Sequence, residues 1–112
     1  MIDEVRRVFK EIYEKAKLKM GNELMTWNKI FQFEIFDGDP FYFEFSKGAL
    51  KIEKGTHPSP IATLTMSRDV LMKILNKELD PITAFIRGMM KISGNILETA
   101  NIRRILEAAK RD

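Results

Sequence analysis

The sequence predicts an α+β fold, and a change of hydrophobic period along the chain carries that prediction. Near both ends apolar residues recur every three or four positions, the stripe of an amphipathic helix; between Trp27 and Glu53 they alternate, as in strands with one apolar face. The length supports one body only. A chain of 112 residues makes a single domain with one core, expected to span residues 1–112.

From Ile2 to Met20 the stripe consists of Ile2, Val5, Val8, Phe9, Ile12, Tyr13, Ala16 and Met20, and Gly21-Asn22 supplies a left-handed stop. Three strands follow as an antiparallel meander over 28–36, 41–46 and 49–54. Asp37-Gly38-Asp39-Pro40 and Lys47-Gly48 form its turns, and Leu50 and Ile52 of the third strand point the same way. Gly55-Thr56-His57-Pro58-Ser59-Pro60 cannot continue a strand, because proline has no ladder donor, so it connects to a fourth strand over 61–66 and the sheet changes order there. Ser67 with Asp69 opens a helix whose stripe is Val70, Leu71, Ile74 and Leu75. Asp80-Pro81 opens a short helix carrying Ile82, Ala84, Phe85 and Ile86, and Gly88 ends it. Residues 89–93 read as a fifth strand. Gly94-Asn95 then turns into a last helix with Leu97, Ile102, Ile105, Leu106 and Ala109 on or near one face.

Composition excludes several classes of function. The chain is 45% hydrophobic and 31% charged, which places it among globular domains. With no cysteine there is no disulfide framework, thiol chemistry or Cys-ligated metal, and a reducing, cytoplasmic setting is expected. No apolar run exceeds three residues and the acidic start lacks the apolar core of a secretory signal, so neither a transmembrane segment nor a signal peptide is expected. Nineteen Lys and Arg against sixteen Asp and Glu leave a net charge of +3, spread too evenly for a nucleic-acid-binding arm.

Catalytic and metal constellations are missing. His57 is the single histidine and reads as a surface loop residue; Asp37 and Asp39 read as turn formers rather than a metal pair. The glycines never cluster into a phosphate-cradling loop, and no cofactor is implied. What stands out is eight Phe and seven Met in so short a chain. Phe31, Phe33, Phe43 and Phe45 pave one face of the meander, while Met66, Met72, Met89 and Met90 fall in the half whose helices must cover it. Such a set fills a core, or lines a deformable cavity for apolar ligands.

The second half resembles the sterol carrier protein type two family. Thr63-Leu64-Thr65-Met66-Ser67, Val70-Leu71, Ile74-Leu75, Leu79-Asp80-Pro81, Ala84-Phe85-Ile86-Arg87-Gly88, Lys91-Ile92-Ser93-Gly94-Asn95, Ala100, Ile102 and Ile105-Leu106 follow its pattern. The helix, meander and Lys47-Gly48 turn before them fit as well. The resemblance implies a five-stranded, mostly antiparallel sheet with a crossover, covered on one face by helices. It also implies a hydrophobic tunnel between the layers for fatty acyl, acyl-CoA, isoprenoid or sterol-like lipids. Asn76-Lys77-Glu78 departs from the pattern, which commonly has a glycine there; Asn76 is expected to take the left-handed turn. Lys110-Arg111-Asp112 is no peroxisomal address.

On this reading the tunnel draws on Phe31, Phe33, Phe43, Phe45, Leu50 and Met66 from the sheet. Leu71, Ile74, Leu75, Phe85, Met90, Ile105 and Leu106 face them from the helical half. The expected function is non-catalytic binding and transfer or presentation of lipid. The alternative is an accessory subunit that holds the lipid tail for an isoprenoid-quinone or lipid biosynthesis enzyme. The expected partners are a lipid ligand, that biosynthetic enzyme, and an anionic membrane met weakly through the first and last helices, with Ile2, Val5 or Phe9 exchanging into the bilayer. Six basic residues against four acidic ones in 1–19, and Arg103, Arg104, Lys110 and Arg111 against Glu98, Glu107 and Asp112 at the other end, would favour such contact.

Overall fold

Residues 1–110 are described by a computed structural model, so Arg111 and Asp112 of the terminal charge set lie outside the described residues. The first stripe forms α1 (Ile2–Met20), which buries Val5, Phe9, Ile12, Tyr13 and Ala16; Asp3 and Glu4 in its first turn and Lys17 and Lys19 in its last complement its dipole. Gly21 stops it with φ 55°, but the chain winds straight on into a 3-10 helix, Gly21–Thr26, which the sequence pattern did not indicate.

Five strands lie at the expected positions to within two residues: β1 (Asn28–Ile35), β2 (Phe41–Ser46), β3 (Ala49–Lys54), β4 (Ala62–Met66) and β5 (Lys91–Gly94). The sheet order is β3-β2-β1-β4-β5. All pairings are antiparallel except β1 with β4, which places Phe33 beside Leu64 and Ile35 beside Met66. Phe36 falls one residue beyond β1 and is 69% exposed. Alternation holds: Phe31, Phe33, Ile35, Phe41, Phe43, Phe45, Ile52, Leu64 and Met66 are all buried.

The helical layer comprises α1, α2 (Arg68–Leu75), α3 (Pro81–Ile86) and α4 (Thr99–Ala108). Ser67 and Asp80 cap α2 and α3 as expected, their side-chain oxygens accepting from the N–H groups of Val70 and Thr83. Asp37, in the β1–β2 turn, accepts from the Arg68 N–H at 2.9 Å, which gives it a structural task. The last helix begins later than predicted. Ile96–Glu98 is a 3-10 turn, and Leu97 is 84% exposed rather than part of the buried stripe, because the tighter turn rotates it out of register.

Two polar devices position these layers. Beneath the crossover, Gln32 is buried on the face opposite the helices. Its amide donates to the carbonyls of Phe41 and Gly55 (both 3.1 Å), and its oxygen accepts from the His57 N–H at 2.9 Å. His57 remains a loop residue: its Nδ1 accepts from the Ser59 N–H at 3.0 Å and its ring meets Tyr42 edge-on. The second device is Lys29–Glu98 at 2.9 Å, with each side chain only 19% exposed. Burial pushes the Glu98 carboxyl up, but the bonds from Lys29 and Asn101 outweigh it and hold the group below its ordinary value. A carboxyl so lowered contributes stability above its unfolded pKa and loses it as pH falls through the folded value. Urea titrations of wild type and Glu98→Gln are therefore expected to differ by about 1 kcal/mol at pH 7 and to converge as pH falls below the ordinary carboxylate range.

Gly94 ends β5 at φ 85°, and a Cβ there would lie 2.8 Å from the Ile61 carbonyl oxygen and 3.2 Å from the Ala62 Cα. Both obstacles are backbone. Gly55, at φ 100°, has open space instead. Gly94→Ala is expected to cost about 2–3 kcal/mol of stability in chemical denaturation and Gly55→Ala about 1 kcal/mol, the difference being the collision with β4.

Candidate functional site

The sheet's aromatic face meets the helices along an apolar seam. Phe43 stacks on Phe9 of α1 with ring centroids 4.4 Å apart and leans on Phe33 at 4.6 Å, while Phe33 stacks on Phe41 at 4.9 Å. Phe9, Phe33, Phe43, Leu64, Met66, Leu71, Ile74, Leu75, Pro81 and Ile102 surround a cavity of about 10 Å³ in this seam. That volume is room for about one water molecule, and the lining offers it no polar partner. Where a tunnel was expected, the layers meet in an almost closed joint.

Six of the expected lining residues meet at this cavity: Phe33, Phe43, Met66, Leu71, Ile74 and Leu75. Phe31 and Phe45 are fully buried but belong to a neighbouring aromatic cluster, where Phe45 contacts Tyr13, Trp27 and Phe31 at 5.4–6.0 Å. Met90 and Ile105 are buried outside the cavity lining, and Leu50 and Phe85 are half-buried at the margin of the core. Leu106 lines an outer groove instead. The positions absent from the expected set are Phe9, Leu64, Pro81 and Ile102. Phe9 and Ile102 stand on stripes visible in the sequence, and Leu64 alternates with Met66; the parallel β1–β4 pairing is what brings Leu64 beside Phe33.

Two grooves flank the seam on either side of the segment joining α2 to α3. One, of about 270 Å³, runs from Ile74 and Pro81 past Lys77, Asp80 and Thr83 to Arg103, Leu106 and Lys110 of the last helical region. The other, of about 280 Å³, lies between Val8, Glu11, Ile12 and Lys15 of α1 and Leu75, Asn76 and Lys77. Ile74, Pro81 and Leu75 line both a groove and the inner cavity. The left-handed residue in the joining segment is Lys77 (φ 64°), not Asn76, which has φ −82° and serves as the last cap of α2.

The charges nearby are chiefly structural. Arg103 donates to Asp80 at 2.7 Å; burial raises the Asp80 carboxyl, but the Thr83 N–H and Arg103 together bring it below its ordinary value. Arg104 grips Glu23 with both terminal nitrogens, tying α4 to the first 3-10 helix and lowering the Glu23 carboxyl through those bonds. The Tyr13 hydroxyl donates to the Gly48 carbonyl at 2.9 Å, and burial, aided by Glu14, raises its pKa. Among the described residues no acid, base or nucleophile points into the cavity, whose lining is hydrocarbon and thioether throughout. Among the described residues no three His, Cys, Asp or Glu side chains come together as a metal site.

The apolar residues of α1 expected to exchange with a bilayer face inward in this structure. Val5 and Phe9 are fully buried and Ile2 is partly covered, so the stripe of α1 is spent on the protein's own core. Among the described residues, no helix is long and apolar enough to cross a membrane.

Comparison with known proteins agrees with this architecture. The chain is 28% identical over 94 residues to sterol carrier protein 2 of Gallus gallus; the match takes in 80% of this chain and spans 17% of that relative. A solved structure described as the UbiJ-SCP2 ubiquinone synthesis protein superposes with TM-score 0.71 at 20% identity, covering 90% of this chain and 87% of that one. The solution structure of palmitated SCP2L2 from Aedes aegypti gives TM-score 0.67 at 21% identity, covering 91% and 93%. At such identities the two structures establish the fold. The model of the SCP-2 sterol transfer family matches residues 9–107, nearly the whole chain, and the chain therefore belongs to that family.

Proposed function

We propose that this domain is a non-catalytic lipid carrier that takes an alkyl or isoprenoid chain into the seam between its sheet and helices. The observation that carries the reading is the wholly apolar cavity lining, set between the sheet and the helical layer. A cavity of about 10 Å³ lies far below the roughly 300–1,000 Å³ of ligand pockets, so the helical layer must part for a chain to enter. Each methylene buried returns about 0.8 kcal/mol, which lets a long chain offset that opening. Apolar walls distinguish one methylene by only about 1–3 kcal/mol, so tolerance of ligand identity belongs to the same reading. Native mass spectrometry with lipid extraction of protein purified from its host tests it. One-to-one adducts with several related lipids support carriage; absence of adducts together with failure to displace a fluorescent fatty acid, or saturable turnover of a lipid, overturns it.

A second reading is an accessory subunit that holds the tail of a lipid while a biosynthetic enzyme works on its head. It is favoured by the likeness in fold and length to the UbiJ-SCP2 ubiquinone synthesis protein. A stoichiometric biosynthetic enzyme in a pull-down from the host supports this reading, and recovery as free protein supports the first. Weak docking to anionic membrane belongs to either, carried by the basic residues on the solvent sides of α1 and α4, each worth about 1 kcal/mol close to the surface. Co-sedimentation with anionic vesicles at low salt, lost at high salt, is the expected result.

A further inference from the structure

We infer that Lys77 anchors the anionic headgroup of the bound lipid, the carboxylate of a single long acyl chain whose tail runs inward past Ile74 and Leu75. This rests on the lipid-carrier reading and adds to it the headgroup chemistry and the end of the seam from which the chain enters.

Three independent observations converge on this residue. The first is position. Lys77 lines both outer grooves, and each groove shares a wall residue with the inner cavity: Ile74 and Pro81 on one side, Leu75 on the other. A headgroup held at Lys77 thus has two routes for its tail into the seam, each starting at an apolar side chain.

The second is charge. The other cations of these grooves have carboxylate partners: Arg103 with Asp80 at 2.7 Å, Lys15 with Glu11 at 3.7 Å and Lys110 with Glu107 at 3.5 Å. Lys77 has none within ion-pair distance among the described residues; its amine donates only to the Ala109 carbonyl, at a long 3.4 Å. Burial lowers the pKa of this amine, and the neighbouring Lys15 and Lys110 lower it further while Glu11 opposes them. Glu11, Glu78, Asp80 and Glu107 also line these grooves, but Lys15, Arg103 and Lys110 engage three of them, which leaves Lys77 the groove cation with no carboxylate of its own among the described residues.

The third is backbone. Lys77 stands at φ 64°, where glycine would be unstrained and a lysine is not. A long cationic side chain kept at the single left-handed position of this segment is understandable if the amine has work at the groove.

The measurement is binding of hexadecanoate and hexadecanol, two probes of equal chain length that differ in headgroup charge. The wild-type protein is expected to prefer hexadecanoate by about tenfold, a preference typical of a charge-assisted hydrogen bond at a partly exposed site. Lys77→Met is expected to lose that preference by weakening hexadecanoate alone, with hexadecanol unchanged. Lys77→Arg restores the preference. Lys73→Met, on α2 and already paired with Asp69, keeps it, which separates a local anchor from bulk charge. Thermal unfolding of each variant verifies that it is folded, and Lys77→Gly, which relieves the backbone, replaces Lys77→Met if the latter is not. Undiminished preference for hexadecanoate in a folded Lys77 variant overturns the anchor while leaving the carrier intact. Failure of both probes to bind wild type overturns the carrier reading and the anchor with it.

Discussion

Phe45→Ala is expected to lower the unfolding free energy by about 3–5 kcal/mol while leaving lipid affinity of the folded protein unchanged. Phe45 is fully buried and touches Tyr13, Trp27, Phe31 and Phe43, so its removal empties the centre of an aromatic cluster that helix and sheet share. Neither Trp27 nor Tyr13 can collapse into the space easily. Trp27 is held against Lys29, itself paired with Glu98, and Tyr13 is tied to the Gly48 carbonyl. The void therefore persists, and cavity cost adds to the lost transfer free energy. Urea denaturation followed by the fluorescence of Trp27, the single tryptophan, reads the loss directly. A variant equally destabilised and also deficient in lipid binding would extend the binding seam into this cluster.

Leu71→Ala should show the opposite coupling: a loss of about 2–5 kcal/mol in stability, accompanied by tighter or faster uptake of an apolar probe. Leu71 is 1% exposed and lines the inner cavity, so truncation enlarges the space a ligand must otherwise open for itself. Leu24, 1% exposed in the first 3-10 helix, is the matched control. Leu24→Ala is expected to cost similar stability with no gain in uptake. The comparison is best made as the rate and extent of fluorescent fatty-acid binding at one temperature where all three proteins are folded. Equal uptake by both variants would mean that general loosening, not the seam, admits the probe.

Much of this architecture can be read from residue patterning alone. Alternation of Phe31, Phe33, Phe43 and Phe45, the caps Ser67 and Asp80, and proline at the start of α3 are local signals, and local signals locate elements well. What eluded such reading has two physical sources. One is short-range backbone geometry without a strong side-chain signature: the 3-10 turns at 21–26 and 96–98, the exposure of Leu97, and the choice of Lys77 over Asn76 as the left-handed residue. The other is long-range register. Which phenylalanines face the seam depends on how β4 lies along β1, and that pairing splits one aromatic face into two clusters, with Phe33 and Phe43 in the seam and Phe31 and Phe45 beside it. Gln32 was equally invisible as a clasp, since its partners on β2 and the crossover are distant in the chain.

The order in which the chain closes its seam has a bearing on its life before it is folded. The aromatic strands β1 and β2 are complete at Ser46, yet the cavity wall is finished only by Ile102 of α4. During synthesis at about 5–20 residues per second, this apolar face stays without its last helix for several seconds. Over that interval the nascent domain presents to its surroundings the very surface it later hides. Newly made protein is thus expected to be the form most prone to aggregate and, on the lipid-carrier reading, the form that would enclose an alkyl chain without prying the layers apart.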